Sequence, residues 1–295
     1  YGDHRDLHKE YRRQRQMCIR DRNKIILLGT GCPSPSHIRY GPSTLVSYQG
    51  TNLLIDAGSG VTQRLSEIGI KPSEINHILI THMHSDHIVD LYQLYISGWH
   101  TGRTEPFTVH GPKGLKAFFE KTLEAYNPEL SLRKDWESRP NESGLNYLVN
   151  EIDSTSVVTL DNISVNKIDV DHYPVEPAFG YEIKLDSFKV IYSGDTRYCK
   201  NLEQAALNAD FLIHEVLVDL TLNETRMTEE TVTNITDYHT SPKEVGILAE
   251  NAKVKKLILN HFVPPVFNEE ELYREVKEYF SGEVVVGKDL LEINL

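Results

Sequence analysis

The chain is poor in several things, and each scarcity narrows the reading. Only three of its 295 residues are cysteine, Cys18, Cys32 and Cys199. Their spacing fits neither a zinc finger nor a disulfide framework, so the redox compartment stays open. No apolar run reaches the roughly 18 residues a membrane helix needs, and no span is expected. Positive charge is also short: 31 Lys and Arg face 43 Asp and Glu, a formal net charge of −12. That disfavours a broad cationic face for polyanions but leaves room for a local basic groove. Apolar residues are not scarce. At 39% of the chain they suffice for one large domain or two small ones.

The first 22 residues, "YGDHRDLHKEYRRQRQMCIRDR", are charge-rich and have no apolar period. They lack the apolar segment of a signal peptide. "RQMCIRDR" looks like translated sequencing-adapter DNA. Residues 1–22 are therefore expected to be a disordered tail of artefactual origin, and 23–295 one domain. On that reading the natural N-terminus and any export signal lie elsewhere, which leaves cytoplasm and export both open.

From Lys24 strands and helices alternate. "KIILLG" predicts a strand stopped by the Gly/Pro cluster "GTGCPSP". "TLVSYQGTNLLIDAG" predicts a hairpin turning at Gln49-Gly50. Val61, Leu65 and Ile68 give "GVTQRLSEIG" helical spacing. "INHILIT" reads as a buried strand and "IVDLYQLYISGW" as a helix. A strand "FTVHGP" and an amphipathic helix "KGLKAFFEKTLEAY" follow. Residues 127–150 are polar and predict an inserted loop or lid. Four strands come next ("TSVVTL", "ISVNKIDV", "FGYEIKL", "FKVIYSG"), then a helix "NLEQAAL" and a strand "DFLIHEV". The acidic, Thr-rich stretch 219–237 predicts a mobile loop. A helix, strand, helix and strand close the chain at "SPKEVGILAENA", "VKKLILNH", "EEELYREVKEYF" and "EVVVG". Hairpins mixed with helical crossovers predict two mixed sheets with helices outside.

Chemistry concentrates in "THMHSDHIVDL", where His82, His84, Asp86 and His87 fall within six positions. A spacing of two in extended backbone points His82 and His84 to one side, so they can grip one ion. Asp86 and His87 lie where the chain turns into the next helix and can serve a second. Imidazole and carboxylate suit zinc and, less strictly, manganese or iron. Two ions need more ligands, and three polar residues ending apolar runs offer them: His172 in "VDHYP", Asp195 in "IYSGDT" and His261 in "LILNHF".

The order HxHxDH, His, Asp in "SGDT", His resembles the metallo-β-lactamase-fold hydrolase superfamily over nearly all of residues 24–295. The resemblance implies an α/β fold, a four-layer αββα sandwich of two mixed sheets, with two divalent metal ions, zinc foremost. It implies that His82, His84, His172 and Asp195 hold one ion and that Asp86, His87, Asp195 and His261 hold the other, Asp195 bridging. True β-lactamases of this fold lack that bridging aspartate, so antibiotic hydrolysis is disfavoured.

"LLGTGCPSP", "LLIDAGSGVTQRL", "PAFGYEI", "YSGDTR", "HEV" and "YHTSP" are similar to the branch holding ribonuclease Z and the metal-dependent arylsulfatases. That similarity implies that Glu215 orients His239 beside the metals. It also implies that a hydroxide bridging the two ions attacks, Asp86 both binding metal and orienting it. His239 would stabilise ester oxygens or protonate the leaving group. Ribonuclease Z carries a long tRNA-clamping arm between "FGY" and "SGDT"; here only "EIKLDSFKVIY" intervenes. With the acidic balance, this favours a small-molecule ester, aryl sulfate or phosphate, over the alternative of tRNA 3′ processing. Nucleic acid is thus disfavoured as a partner without being excluded, and the family suggests a homodimer. The C-x-P-x-R pattern of formylglycine sulfatases fails at Cys32. Trp99, His100, Arg103 and Arg197 are candidates for setting substrate choice, and Asp56 for supporting the histidines.

Overall fold

The computed structural model describes residues 23–137, 142–160, 162–218 and 227–295; the expected tail, 1–22, lies outside them. One sheet comprises β1 (Lys24–Gly29), β2 (Ser43–Tyr48), β3 (Thr51–Ile55), β4 (His77–Leu79), β5 (Phe107–Gly111) and β6 (Tyr147–Glu151). The other comprises β7 (Ser156–Leu160), β8 (Ile163–Asp169), β9 (Phe179–Leu185), β10 (Phe188–Tyr192), β11 (Phe211–Leu217), β12 (Lys256–Val263) and β13 (Glu283–Val286). A last strand, β14 (Leu291–Asn294), returns to the first sheet and pairs antiparallel with β1. Among the described residues the orders are β14-β1-β2-β3-β4-β5-β6 and β13-β12-β11-β10-β9-β8-β7, seven strands each.

The apolar pattern explains the layering. Along β1, Ile25 and Leu27 enter the core between the sheets, while Ile26 and Leu28 enter the core under the outer helices. A strand buried on both faces reads as a continuous apolar run, as "KIILLG" does. Helices α1 (Val61–Glu67), α2 (Ser85–Ile88), α3 (Leu91–His100) and α4 (Leu115–Ala125) cover the first sheet through Val61, Leu65, Ile88, Leu94, Leu115 and Phe119. After α5 (Asn127–Glu137), the second sheet is covered by α6 (Lys200–Ala205), α8 (Pro242–Asn251) and α9 (Glu269–Lys277), with α7 (Glu229–Asp237) between them in sequence. The four-layer α/β expectation therefore holds. Among the described residues no helix is long and apolar enough to cross a membrane. The hairpin turns where expected: Gln49 and Gly50 both take positive φ (47° and 85°), as a two-residue turn matched to strand twist requires.

Three local expectations fail. The polar stretch 127–150 is α5 followed by a short 3-10 turn and β6, not an inserted loop. No residue of α5 is fully buried, and Leu130 packs partly buried against the core. The helix is supported by Glu129–Arg133 and Arg133–Glu137 pairs at i,i+4 and by Tyr92, whose hydroxyl donates to Glu129 at 2.7 Å. Of the stretch 219–237, residues 219–226 lie outside the described residues, and the remainder contains α7. Thr is a poor helix former, but Thr228 caps this helix by accepting from the Thr231 amide at 3.1 Å, and Glu229 and Glu230 sit in its first turn. The expected helix after the histidines breaks at Val89–Asp90 into α2 and α3; Asp90 there accepts the Gly60 amide at 2.6 Å.

One carboxylate holds the approach to the site together. Asp289 accepts from the Thr30 amide (3.0 Å), the Thr30 hydroxyl (2.8 Å), the Tyr40 amide (2.8 Å) and the Arg64 guanidinium (3.1 Å). Replacing Asp289 by Ala strands these donors, and urea unfolding is expected to show a loss of about 3–5 kcal/mol, with Asp289→Asn losing less. A second prediction concerns acid. Burial, then the neighbouring His77, pushes the His110 pKa from 6.5 down to about 4. His110 therefore stays neutral in the folded protein while the unfolded chain takes up its proton. Its contribution is intact above the unfolded value and is lost as pH falls from about 6.5 towards 4. His110→Leu should flatten the unfolding midpoint over that window; an unchanged slope would count against this assignment.

Candidate metal centre

Strand ends of both sheets meet where the candidate ligands lie. His82 and His84 follow β4, and Asp86 and His87 open α2. His172 follows β8, Asp195 follows β10, and His261 sits inside β12. The loop after β4 is pinned across to the second sheet: the Phe179 amide donates to the Thr81 carbonyl (2.9 Å), and the Tyr181 hydroxyl to the Ile80 carbonyl (2.6 Å).

His261 reaches the cluster by a backbone irregularity. Opposite β11, Asn260 pairs with Glu215 and Phe262 with Val216, so His261 is an extra residue with φ 42°. Such a bulge redirects a side chain out of the strand's alternation at a cost of order 1–3 kcal/mol.

The side chains form two groups, each with its ligand atoms within 4.8 Å of one another: His82, His84, His172 and Asp195, and Asp86, His87 and His261. In the first group His84 Nδ1 lies 3.0 Å from His82 Nε2 and 3.3 Å from His172 Nε2. In the second, Asp86 Oδ2 lies 3.5 Å from His87 Nε2 and 3.3 Å from His261 Nε2. A single atom, Asp195 Oδ2, faces both: 3.9 Å from His82, 3.4 Å from His87 and 3.3 Å from His261.

Outer contacts set the rings. His172 Nδ1 is 3.0 Å from the Tyr238 carbonyl, which can only accept, so that nitrogen carries the proton and Nε2 keeps its lone pair. Likewise His87 Nδ1 donates to Asp56 Oδ2 at 2.9 Å, and Asp56 supports the histidines as expected. Carboxylates and carbonyls fixing imidazoles in this way are the usual frame of a metal site.

The electrostatics agree with that frame. Burial lowers the pKa of His84 and His172, and burial with the neighbouring His87 lowers that of His82 further, which keeps these rings neutral. His87 goes the other way: burial opposes its charge, but Asp86, Asp195 and Asp56 outweigh it and raise the pKa well above the ordinary value. Burial likewise opposes ionisation of Asp195, and His261 and His87 overcome it, holding the carboxyl well below its usual range. Buried Asp86 Oδ1 and His87 Nε2 have no hydrogen-bond partner. Unpaired buried groups of this kind are costly, and imidazole with carboxylate is a donor set that a divalent cation satisfies. The residues thus fit metal binding.

Next to the cluster, His239 Nδ1 is 3.2 Å from Glu215 Oε2, and the His239 ring centre is 5.9 Å from that of His261. Glu215 Oε1 accepts the amides of Thr196 (3.3 Å) and Thr240 (3.0 Å), tying the Asp195 loop to the His239 loop. A cavity of about 520 Å³ opens beside Asp86, walled by Cys32, Ser34, Tyr40, Ser59 and Val89. Burial pushes the Cys32 thiol up to about 11, so it stays protonated and inert there.

Two substrate candidates do not reach this cavity. Trp99 packs into the outer core of the first sheet, and Arg103 is 1% exposed, donating to the Tyr95 (2.8 Å) and Gly144 (2.9 Å) carbonyls. His100 ends the same helix, α3. Arg197 stays near the centre, half-exposed and donating to the Tyr173 carbonyl at 3.1 Å. Sequence reasoning missed Thr81 and Tyr238. Their only signal was adjacency to His82 and His239.

Fold and site define a metallo-β-lactamase-fold hydrolase. The family model described as Anti-Pycsar protein Apyc1 matches residues 23–273. A ribonuclease Z of Mycobacterium bovis (strain BCG / Pasteur 1173P2) is 34% identical over 282 residues, covering 92% of this chain and 98% of that protein. The chain belongs to the metallo-β-lactamase-fold hydrolases, in a family with ribonuclease Z homologues. Among solved structures, the fold is shared with the metallo-β-lactamase fold protein YhfI of Bacillus subtilis (TM-score 0.71, 20% identity, 93% of this chain and 100% of that one). It is shared too with the short form of human tRNase Z (TM-score 0.67, 21% identity, 92% and 98%). The ribonuclease Z relative overturns the expectation that nucleic acid is disfavoured as a partner and favours the ribonuclease alternative over aryl sulfate: a protein named for cleaving RNA aligns over 92% of this chain.

Zinc added to chelator-stripped protein is expected to raise the thermal unfolding midpoint, because ligand that binds only the folded state stabilises it. Asp195→Ala should abolish most of that rise, as measured by circular dichroism melts with and without zinc.

Proposed function

We propose that this protein is a divalent-metal-dependent phosphodiesterase of the ribonuclease Z type, cleaving phosphodiester bonds in RNA. The observation that carries the reading is the 34% identity to a ribonuclease Z across 98% of that protein, in a chain that keeps a clustered ligand set. His82, His84, His172 and Asp195 would hold one ion and Asp86, His87, His261 and Asp195 the other, zinc being the ion these donors suit best. Bound there, the two cations supply positive charge for phosphoryl oxygens and acidify a water towards neutral pH.

The chain's own groups do the rest. Asp86 has one oxygen, Oδ1, without a partner, free to accept from the attacking water and aim it. His239, backed by Glu215 at 3.2 Å, would donate to the departing ribose oxygen. Thr196 and Thr240, both held by Glu215, keep that imidazole in register with Asp195.

The earlier preference for aryl sulfate rested on the acidic balance and the short interval before "SGDT". That interval is the end of β9, a two-residue turn at Asp186-Ser187 with Asp186 at φ 46°, and β10. It does not decide the substrate, because the ribonuclease Z relative is matched over 98% of its length by a chain built this way. The net charge of −12 is a whole-chain sum, whereas phosphate contact depends on the local field of the site.

The test is turnover by zinc-reconstituted protein of a precursor tRNA, bis(p-nitrophenyl) phosphate and p-nitrophenyl sulfate. Both phosphodiesters should be cleaved and the sulfate should not. Sulfate turnover exceeding phosphodiester turnover overturns the reading, and cleavage of the nitrophenyl diester without the RNA overturns its substrate. His239→Ala should lower kcat by about 10²–10⁴-fold, more for RNA, whose alkoxide leaving group needs protonation, than for the nitrophenyl diester.

A further inference from the structure

Thr81 is wholly buried between the two ligand groups, and its hydroxyl contacts three partners at once. Oγ1 lies 3.1 and 3.0 Å from the two oxygens of Asp56, 3.0 Å from His82 Nδ1 and 3.4 Å from His87 Nδ1. The Thr81 amide also donates to Asp56 Oδ1 at 2.9 Å. Asp56, itself 0% exposed and at φ 60°, is held by its own amide on the Leu79 carbonyl (2.8 Å). Its other oxygen takes the His87 Nδ1 proton at 2.9 Å.

A hydroxyl has one proton. The carboxylate can only accept, so Thr81 gives that proton to Asp56. Its remaining lone pairs then face His82 Nδ1, which must be the donor. The protonation pattern follows from counting: Nδ1–H on His82, and an unprotonated Nε2 turned towards Asp195, 3.9 Å away. His87 is oriented by the same carboxylate without an intermediary.

The geometry points to Thr81 as a positioning residue, a hydroxyl relay through which the Asp56 carboxylate, which holds His87 of the second group directly, also orients His82 of the first. His82 belongs to the first group and His87 to the second, so Asp56 yokes the two. The relay's effect on metal rests on the ligand assignment proposed above; its effect on the His82 ring does not.

The test uses the full chain, stripped by chelator. Zinc chloride titrated calorimetrically into Thr81→Val should bind one equivalent about 10–100-fold more weakly than wild type, the size usual for lost outer contacts, with the other equivalent unchanged. Thr81→Ser, which keeps the hydroxyl, should restore both, and Asp56→Asn should weaken both. Long-range ¹⁵N–¹H spectra of metal-free wild type should show His82 protonated on Nδ1. An Nε2–H ring there overturns the relay even if Thr81→Val does not fold. Wild-type zinc affinities in a folded Thr81→Val overturn it as well. Wild type that binds no zinc overturns the ligand assignment instead, while the ring spectrum still judges the relay.

Discussion

Asp195 Oδ2 is the atom around which the cluster is arranged. It lies within 4 Å of a histidine from the first group and of two from the second. Five imidazoles and two carboxylates gathered in a buried space would be costly if each stood alone. What makes the gathering tolerable is alternation of sign: against the cost of burial, His87 and His261 lower the pKa of Asp195 and Asp86, and those carboxylates raise the pKa of the two rings. The remaining mismatch, orphaned Asp86 Oδ1 and His87 Nε2, is what a pair of cations would remove. The site is therefore poised for metal before any metal arrives.

That arrangement depends on the sandwich. The ligands are brought together because loops at strand ends of two stacked sheets face each other, pinned by Tyr181 and Phe179 reaching the loop after β4. Backbone strain is spent at the same place. Asp56 and His261 both take positive φ, and each is tied to a ligand or is one. Strain of this kind persists only where surrounding structure over-determines it, and the dense bonding around Thr81 and Glu215 supplies that.

Much of this was legible beforehand and some was not. Strands such as "KIILLG" announce themselves because burial on both faces leaves a continuous apolar run. The helix α5 did not, because none of its residues is fully buried, so no continuous apolar face marks it in the sequence. Arg103 looked like an anion contact because charge on a chain reads as exposure; its carbonyl partners Tyr95 and Gly144 are apparent only once α3 packs on the turn near residue 144. The substrate reading went astray for a related reason: total charge says little about the field at one sheet edge.

The residue order alone settled that an HxHxDH run ends a buried strand, and that the polar residues His172, Asp195 and His261 follow apolar runs. Those facts are local, since an apolar run and the polar residue that stops it are neighbours in the chain. Only the folded arrangement decided that Asp195 serves both groups through one oxygen, that a bulge turns His261 inward, and that Thr81 stands between Asp56 and His82. Each of these depends on distances between segments far apart in sequence, which packing of the two sheets sets and no local pattern encodes.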